Sequence, residues 1–146
     1  MHVDDDITLL PTLECWGNVS GDMDISEAAN IFLGKTKDEI EPLLNENYIM
    51  RCLDLAHMPD RVFGYYALGF AEFAINKVDD EEWFPVIVGS FLEAISRRRK
   101  YSPLYYKNFL QQALPLLNVI FDKIKRSRMD LEIKDDLLRE FEACVV

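Results

Sequence analysis

Residues 60–78 constrain the fold more than any other segment, because they are apolar over most of the circumference of a helix. At 100° per residue, one narrow stripe holds Arg61, Tyr65, Leu68, Glu72 and Asn76. The rest of the surface carries Val62, Phe63, Tyr66, Phe70, Phe73, Ala74 and Ile75. A helix of this kind must be surrounded by other helices, so we predict the central helix of an all-α domain. Gly64 and Gly69 indicate close approach of a neighbour, since a helical glycine costs about 1 kcal/mol relative to alanine.

Capping residues and helical spacing predict the remaining helices. Thr36-Lys37-Asp38-Glu39 is a capping box, in which the Thr and Glu side chains satisfy free N–H groups reciprocally. The helix that begins at Pro103 meets Pro115 in its interior, and its polar stripe keeps phase across that proline, which predicts one kinked helix. The other predicted helices cover residues 26–33, 37–44, 46–57, 82–100 and 131–144. Apolar residues on one side of the helix over 46–57 are Tyr48, Ile49, Cys52, Leu53 and Ala56.

Residues 1–25 lack helical periodicity. They contain turn-forming residues at Pro11, Gly17, Asn18, Gly21 and Asp22, so we expect an extended, non-helical arm. Residues 7–16 could lie along the body of the protein as a short strand or strap. The whole chain, residues 1–146, is predicted to form a single domain: a compact bundle or stack of about six to seven antiparallel helices with this arm.

The negative charge is concentrated in the first part of the chain. The formal net charge of the protein is −10. Residues 1–60 contain 13 acidic side chains and three basic ones, whereas residues 61–146 contain 13 of each. A phosphate backbone would be repelled by this field, so we expect no nucleic-acid partner. A basic protein surface is the expected partner.

Two basic clusters fall where helical patterns end. These are Arg97-Arg98-Arg99-Lys100 and Lys123-Lys125-Arg126-Arg128. Positive charge there interacts favourably with the negative end of the helix dipole. The alternative is a local patch that binds an acidic ligand or an acidic stretch of another subunit.

Cysteine usage and hydropathy indicate the compartment. Cys15, Cys52 and Cys144 are odd in number and far apart, which fits neither a disulfide framework nor a paired metal site. No window approaches the ~20 uninterrupted apolar residues of a membrane span, so no membrane partner is expected. The acidic N-terminus differs from a secretory signal, whose first region is basic. We therefore expect a cytoplasmic protein.

No motif in the sequence identifies a reaction. His57 has Asp54 one helical turn before it and Asp60 just after it, but the only other histidine is His2. Paired carboxylates such as Asp38 and Glu39 are adjacent in sequence and point to different faces, which does not suit acid–base catalysis. We therefore predict a protein that is not an enzyme and has no catalytic, metal or cofactor residues. An enzyme with a site near His57 is the least favoured alternative.

In size, acidity, helical content and missing catalytic motifs, the chain resembles the cytoplasmic immunity proteins that bacteria encode beside polymorphic toxins, including those of contact-dependent growth inhibition. The resemblance covers no defined motif, so no functional residue is transferred from it. It implies that an acidic protein docks on a basic toxin domain, commonly a nuclease, and covers its active site.

The expected contact surface combines acidic residues, which accelerate association, with aromatic anchors, which slow dissociation. The predicted partner-binding residues are Asp4, Asp5, Asp6, Asp22, Asp24, Asp38, Glu39, Glu41, Glu46, Tyr65 and Trp83. Tyr105 or Tyr106 could serve as a further anchor. The favoured function is toxin neutralisation by this surface. The main alternative is a helical adaptor that binds the amphipathic helix of a partner.

Overall fold

The computed structural model describes residues 6–145, and every regular element in this range is helical. There are seven α-helices and one 3₁₀ turn: α1 (Leu13–Trp16), the 3₁₀ turn (Val19–Gly21), α2 (Met23–Phe32), α3 (Glu41–His57), α4 (Asp60–Ile75), α5 (Phe84–Tyr101), α6 (Pro103–Arg126) and α7 (Leu131–Val145). The predicted all-α fold is confirmed.

The chain divides into two units, and the boundary between Gly69 and Phe70 lies within α4. This helix is buried around most of its circumference, as the sequence predicts. Its fully buried residues are Val62, Phe63, Tyr66, Ala67, Phe70 and Ala74. The predicted polar stripe is narrower than expected, because Tyr65 and Leu68 are buried whereas Glu72 and Asn76 are exposed.

In the first unit, α2 packs against α3 and against the 3₁₀ turn. The Tyr66 hydroxyl donates to the carbonyl oxygens of Phe32 (2.6 Å) and Lys35 (2.7 Å), where α2 ends. Burial raises the pKa of Tyr66 well above its ordinary value. A Cβ at Gly69 would lie 3.3 Å from both Lys37 Cγ and Ile40 Cδ1, so glycine permits this close approach.

The segment predicted as a non-helical arm differs from that expectation. It contains α1, the 3₁₀ turn and the first residues of α2, and no strand is present over residues 6–25. Asp22 caps α2 by accepting from the N–H groups of Asp24 and Ile25, so the helix begins at Met23, before the predicted start at residue 26. Ile7 and Trp16 are buried in the core. The segment therefore contributes to the packing of the protein, although its sequence shows no helical periodicity.

The capping box forms as predicted. The Thr36 N–H donates to Glu39 Oε1 (3.0 Å), and the Glu39 N–H donates to Thr36 Oγ1 (3.3 Å). Residues 37–40 form turns, and α3 begins at Glu41. Asn47 interrupts α3 with a non-helical backbone (φ −159°, ψ 80°), and its side chain accepts from the Met50 N–H. The helices predicted over residues 37–44 and 46–57 therefore correspond to the two segments of α3, which meet at the break at Asn47.

In the second unit, α5, α6 and α7 all pack against one another. The predicted continuity of α6 through Pro115 is confirmed. The rings of Phe121 and Phe141 stack with centroids 4.8 Å apart. At the end of α7, Tyr106 donates to the Cys144 carbonyl (2.7 Å) and Arg99 donates to the Ala143 carbonyl. Carbonyl groups that have no partner within the helix are thereby satisfied.

Basic residues lie in the last turns of α5 and α6, as the dipole interpretation predicts. Lys134 of α7 adds a positive group at the end of α6, because its Nζ donates to the carbonyls of Ser127 (2.7 Å) and Lys125 (3.2 Å). Among the helices of residues 6–145, none combines the length and the apolar character needed to cross a membrane.

Candidate functional site

Three of the predicted partner-binding residues surround one open depression in the first unit. Asp38, Glu41 and Glu46 line this concavity of about 590 Å³ together with Pro42 and Asn45. We call it the acidic depression. All three acidic residues are exposed, and none of them belongs to an ion pair in the part of the chain that the structure describes. Three carboxylates that have no basic partner in the described range thus face solvent together.

Local structure explains why these residues converge. Glu41 and Asn45 are four residues apart in the first segment of α3, as are Pro42 and Glu46, so the two pairs lie on neighbouring rows of the helix surface. Asp38 comes from the turn that precedes the helix. Carboxylates near the start of a helix are stabilised by the positive end of its dipole. This effect applies to Glu41 in the first turn of α3, whereas Glu46 lies beyond that turn and is solvated at the surface.

Other predicted acidic residues have structural roles and do not line the depression. Asp22 is the cap of α2. Glu39 completes the capping box, and the Thr36 N–H and hydroxyl donors lower the pKa of its carboxyl. The side chain of Asp6 accepts from the Thr8 hydroxyl and N–H, and these donors lower its pKa. Asp4 and Asp5, which are also predicted to bind the partner, lie outside the described residues.

Asp24 faces His57 at the other end of α3. Asp24 Oδ2 lies 3.7 Å from His57 Nδ1, and both side chains are about half exposed. The neighbouring Asp54 pairs instead with Arg51, whose Nε lies 3.1 Å from its Oδ2. Burial raises the pKa of Asp54, and Arg51 opposes this effect. Residues 6–145 contain no group of three or more His, Cys, Asp or Glu side chains placed to hold a metal ion.

The aromatic anchors predicted from the sequence need correction. Tyr65 is only 4% exposed, and its hydroxyl accepts from the Lys37 N–H at 3.1 Å. It therefore belongs to the core and is not presented to a partner. Tyr106 is also buried, with its hydroxyl bound to α7. Trp83 is 50% exposed beside the start of α5, in the second unit, and remains a predicted contact residue.

Sequence reasoning missed an exposed apolar surface on α3. The helix buries Tyr48, Cys52 and Leu55, whereas Ile49, Met50 and Leu53 are each about 45% exposed. We call these three exposed residues the α3 patch. The predicted apolar side grouped Ile49 and Leu53 with the buried residues, and this grouping is wrong. The sequence does contain an indication of this exposed surface, because the segment has more apolar residues than fit on one buried helix face.

The three cysteines carry free thiols. Burial raises the pKa of Cys144 to about 11, so its thiol is protonated at neutral pH. Its Sγ lies 3.8 Å from the Leu92 carbonyl oxygen, to which it donates. This thiol contributes to packing within the second unit and does not form a nucleophilic centre.

The acidic depression can accept lysine or arginine side chains from another protein, because exposed carboxylates form charge-assisted hydrogen bonds with such donors. The α3 patch can contribute apolar contact on the same helix. Comparisons with protein-family models, with curated proteins and with solved structures gave no match to this chain.

Proposed function

We propose that this protein binds a basic protein through the acidic depression and acts as an immunity protein against a nuclease-type toxin. The observation that carries the proposal is the convergence of Asp38, Glu41 and Glu46 on one exposed concavity, with no basic partner among residues 6–145. No catalytic step is part of the proposed function. Occupation of the partner's surface is sufficient.

The charge distribution supports a basic partner. Residues 1–60 hold 13 acidic side chains and three basic ones, and the depression lies within this segment. A surface of one sign accelerates association with a surface of the opposite sign, and salt screens this effect. Nucleic acid has the same sign as the depression and would be repelled.

The proposed neutralisation is a competition for the same cations. A nuclease holds its phosphate substrate with lysine and arginine side chains, which prefer anionic oxygen ligands. The carboxylates of Asp38, Glu41 and Glu46 would present such oxygens in place of phosphate. Nucleic acid would then be excluded by charge and by the bulk of the bound protein. Three free thiols support action in a reducing cytoplasm.

Viability after toxin expression tests this function. The partner is first identified by mass spectrometry of proteins that co-purify with the chain at low salt, and is then expressed with and without it. We expect the wild-type protein to restore growth and the variant D38N/E41Q/E46Q to fail, because the substitutions remove three charges but little volume. If no basic partner co-purifies, or if the partner is not toxic, the immunity function is wrong.

A matched control comes from α7. Asp135 and Glu142 line another open depression that also contains Arg139, and Glu140 is exposed nearby. The variant D135N/E140Q/E142Q removes the same number of negative charges from the second unit. It should still restore growth. Equal failure of both variants would show that net charge matters and that the acidic depression does not.

A further inference from the structure

We infer that the α3 patch binds a basic amphipathic helix of the partner, with apolar residues at its centre and lysine or arginine towards its ends. This inference rests on the proposed function, and it adds the element of the partner that makes contact. The occupant is a segment of a different protein and not a second copy of this chain.

The geometry of the patch suits a helix. Ile49, Met50 and Leu53 follow the break at Asn47 and lie within about 100° of one another on the helix surface. Ile49 and Leu53 stand one above the other, with Met50 beside them, so the patch runs along the helix axis. An exposed row of this kind packs against a partner helix by the interlocking of side-chain ridges. Met50 also adapts to different apolar neighbours, because its side chain is flexible.

Acidic groups lie near both ends of the patch, with the break at Asn47 between Glu46 and the patch. Glu46 of the acidic depression precedes it, and Asp24 lies beside His57, which follows it. Ile49 and His57 are separated by about 12 Å along the axis of the second segment of α3, so a partner helix of a few turns covers the whole patch. Arg51 is the sole lysine or arginine within α3, and its side chain pairs with Asp54.

Charge complementarity favours a basic helix over a second copy of this chain as the binding partner of the α3 patch. A second copy of this chain would bring Glu46 and Asp24 against the same acidic groups, and like charges across an interface oppose association. A helix with lysine or arginine near its ends would instead place a positive group at each acidic flank. Its apolar centre would cover Ile49, Met50 and Leu53 and exclude water from them. Desolvated apolar contacts of this kind slow dissociation, whereas the flanking charges accelerate association.

The test uses a synthetic helical peptide of about 20 residues, with a leucine stripe on one face and lysines around it. A scrambled peptide of the same composition lacks the stripe, and a third peptide has glutamate in place of lysine. Binding to the full-length protein is measured at low salt. We expect the first peptide to bind at least tenfold more tightly than the other two. Equal binding of the scrambled peptide would overturn the inference.

Substitutions then locate the contact. The variant I49S/L53S should increase the dissociation rate of the peptide and of the co-purified partner at least tenfold, with little change in association rate. Both side chains are half exposed, so folding should survive, and circular dichroism and Tm verify this. The control L104S/L131S replaces two leucines of the second unit that are more exposed than Ile49 and Leu53. It should leave both dissociation rates unchanged.

The outcomes separate the two proposals. If the partner binds and its dissociation is unchanged in I49S/L53S, the inference about the α3 patch is wrong while the proposed function stands. If no basic partner binds at low salt, the proposed function fails, and the peptide still tests the patch. Sedimentation that shows a dimer of this chain, abolished in I49S/L53S, would identify a second copy as the occupant and overturn the inference.

Discussion

At the scale of single residues, Tyr66 fixes the end of α2 with one hydroxyl. Its proton is shared between the carbonyl oxygens of Phe32 and Lys35, and the side chain is fully buried. We expect Tyr66→Phe to lower the free energy of unfolding by about 1–3 kcal/mol, because the part-buried Lys35 carbonyl loses its hydroxyl donor, whereas the Phe32 carbonyl keeps the Lys35 N–H. Urea unfolding followed by circular dichroism measures the change.

Tyr101→Phe is the control for this substitution, since that side chain is 72% exposed and water replaces any lost contact. The free energy of unfolding of the control should differ from that of the wild type by less than about 0.5 kcal/mol. A similar loss in both variants would show that the buried hydrogen bonds of Tyr66 do not stabilise the fold.

Glu39 makes the stability of the capping box depend on pH. Hydrogen bonds from Thr36 lower its pKa below the ordinary value of 4.5, so the folded protein binds this proton less readily than the unfolded chain. The contribution is complete above pH 4.5 and is lost as the pH falls through the lowered pKa. Glu39→Gln keeps an acceptor but does not titrate. We therefore expect the difference in Tm between wild type and E39Q to change below pH 4.5 and to be constant above it.

Residues of the capping box were predictable from the sequence because both hydrogen bonds join residues three apart. Tyr65 was not predictable in the same way. Its position on the helix suggested exposure, but the side chain is buried and its hydroxyl is bound to the Lys37 backbone, 28 residues away in the chain. A local pattern does not contain that information.

At the scale of elements, Asn47 divides α3 into two segments and caps the second through the Met50 N–H. We expect Asn47→Ala to lower the free energy of unfolding by about 1 kcal/mol, because the cap hydrogen bond is lost. Asn45→Ala, an exposed change two residues earlier, should have little effect. If N47A is as stable as the wild type, the hydrogen bond between the Asn47 side chain and the Met50 N–H does not stabilise α3.

Periodicity located six of the seven α-helices that the structure describes over residues 6–145, but it assigned the faces of α3 incorrectly. The five residues of the predicted apolar side all follow the break at Asn47, and they cover more of the helix circumference than the buried face of α3, so Ile49 and Leu53 stay exposed. Continuity through Pro115 was predictable because the polar stripe of α6 keeps phase on both sides. The short helix α1 was missed because four residues are too few to show a period.

At the scale of the whole molecule, charge is the property that the sequence describes most completely. The excess of acidic residues before residue 61 is found by counting residues in the sequence, without knowledge of the fold. The position of those residues does need the fold, since Asp22 and Glu39 serve as caps while Asp38, Glu41 and Glu46 surround the acidic depression. Only part of the predicted acidic surface is thus brought together.

The association rate with the co-purified basic partner, measured against ionic strength, tests the central claim most directly. For the wild type, we expect a rate that falls steeply as salt is added, and for D38N/E41Q/E46Q a rate about tenfold lower at low salt with a weaker dependence. The control D135N/E140Q/E142Q should follow the wild type closely. A wild-type rate that does not change with salt, or a triple variant that matches the wild type, would contradict binding through the acidic depression.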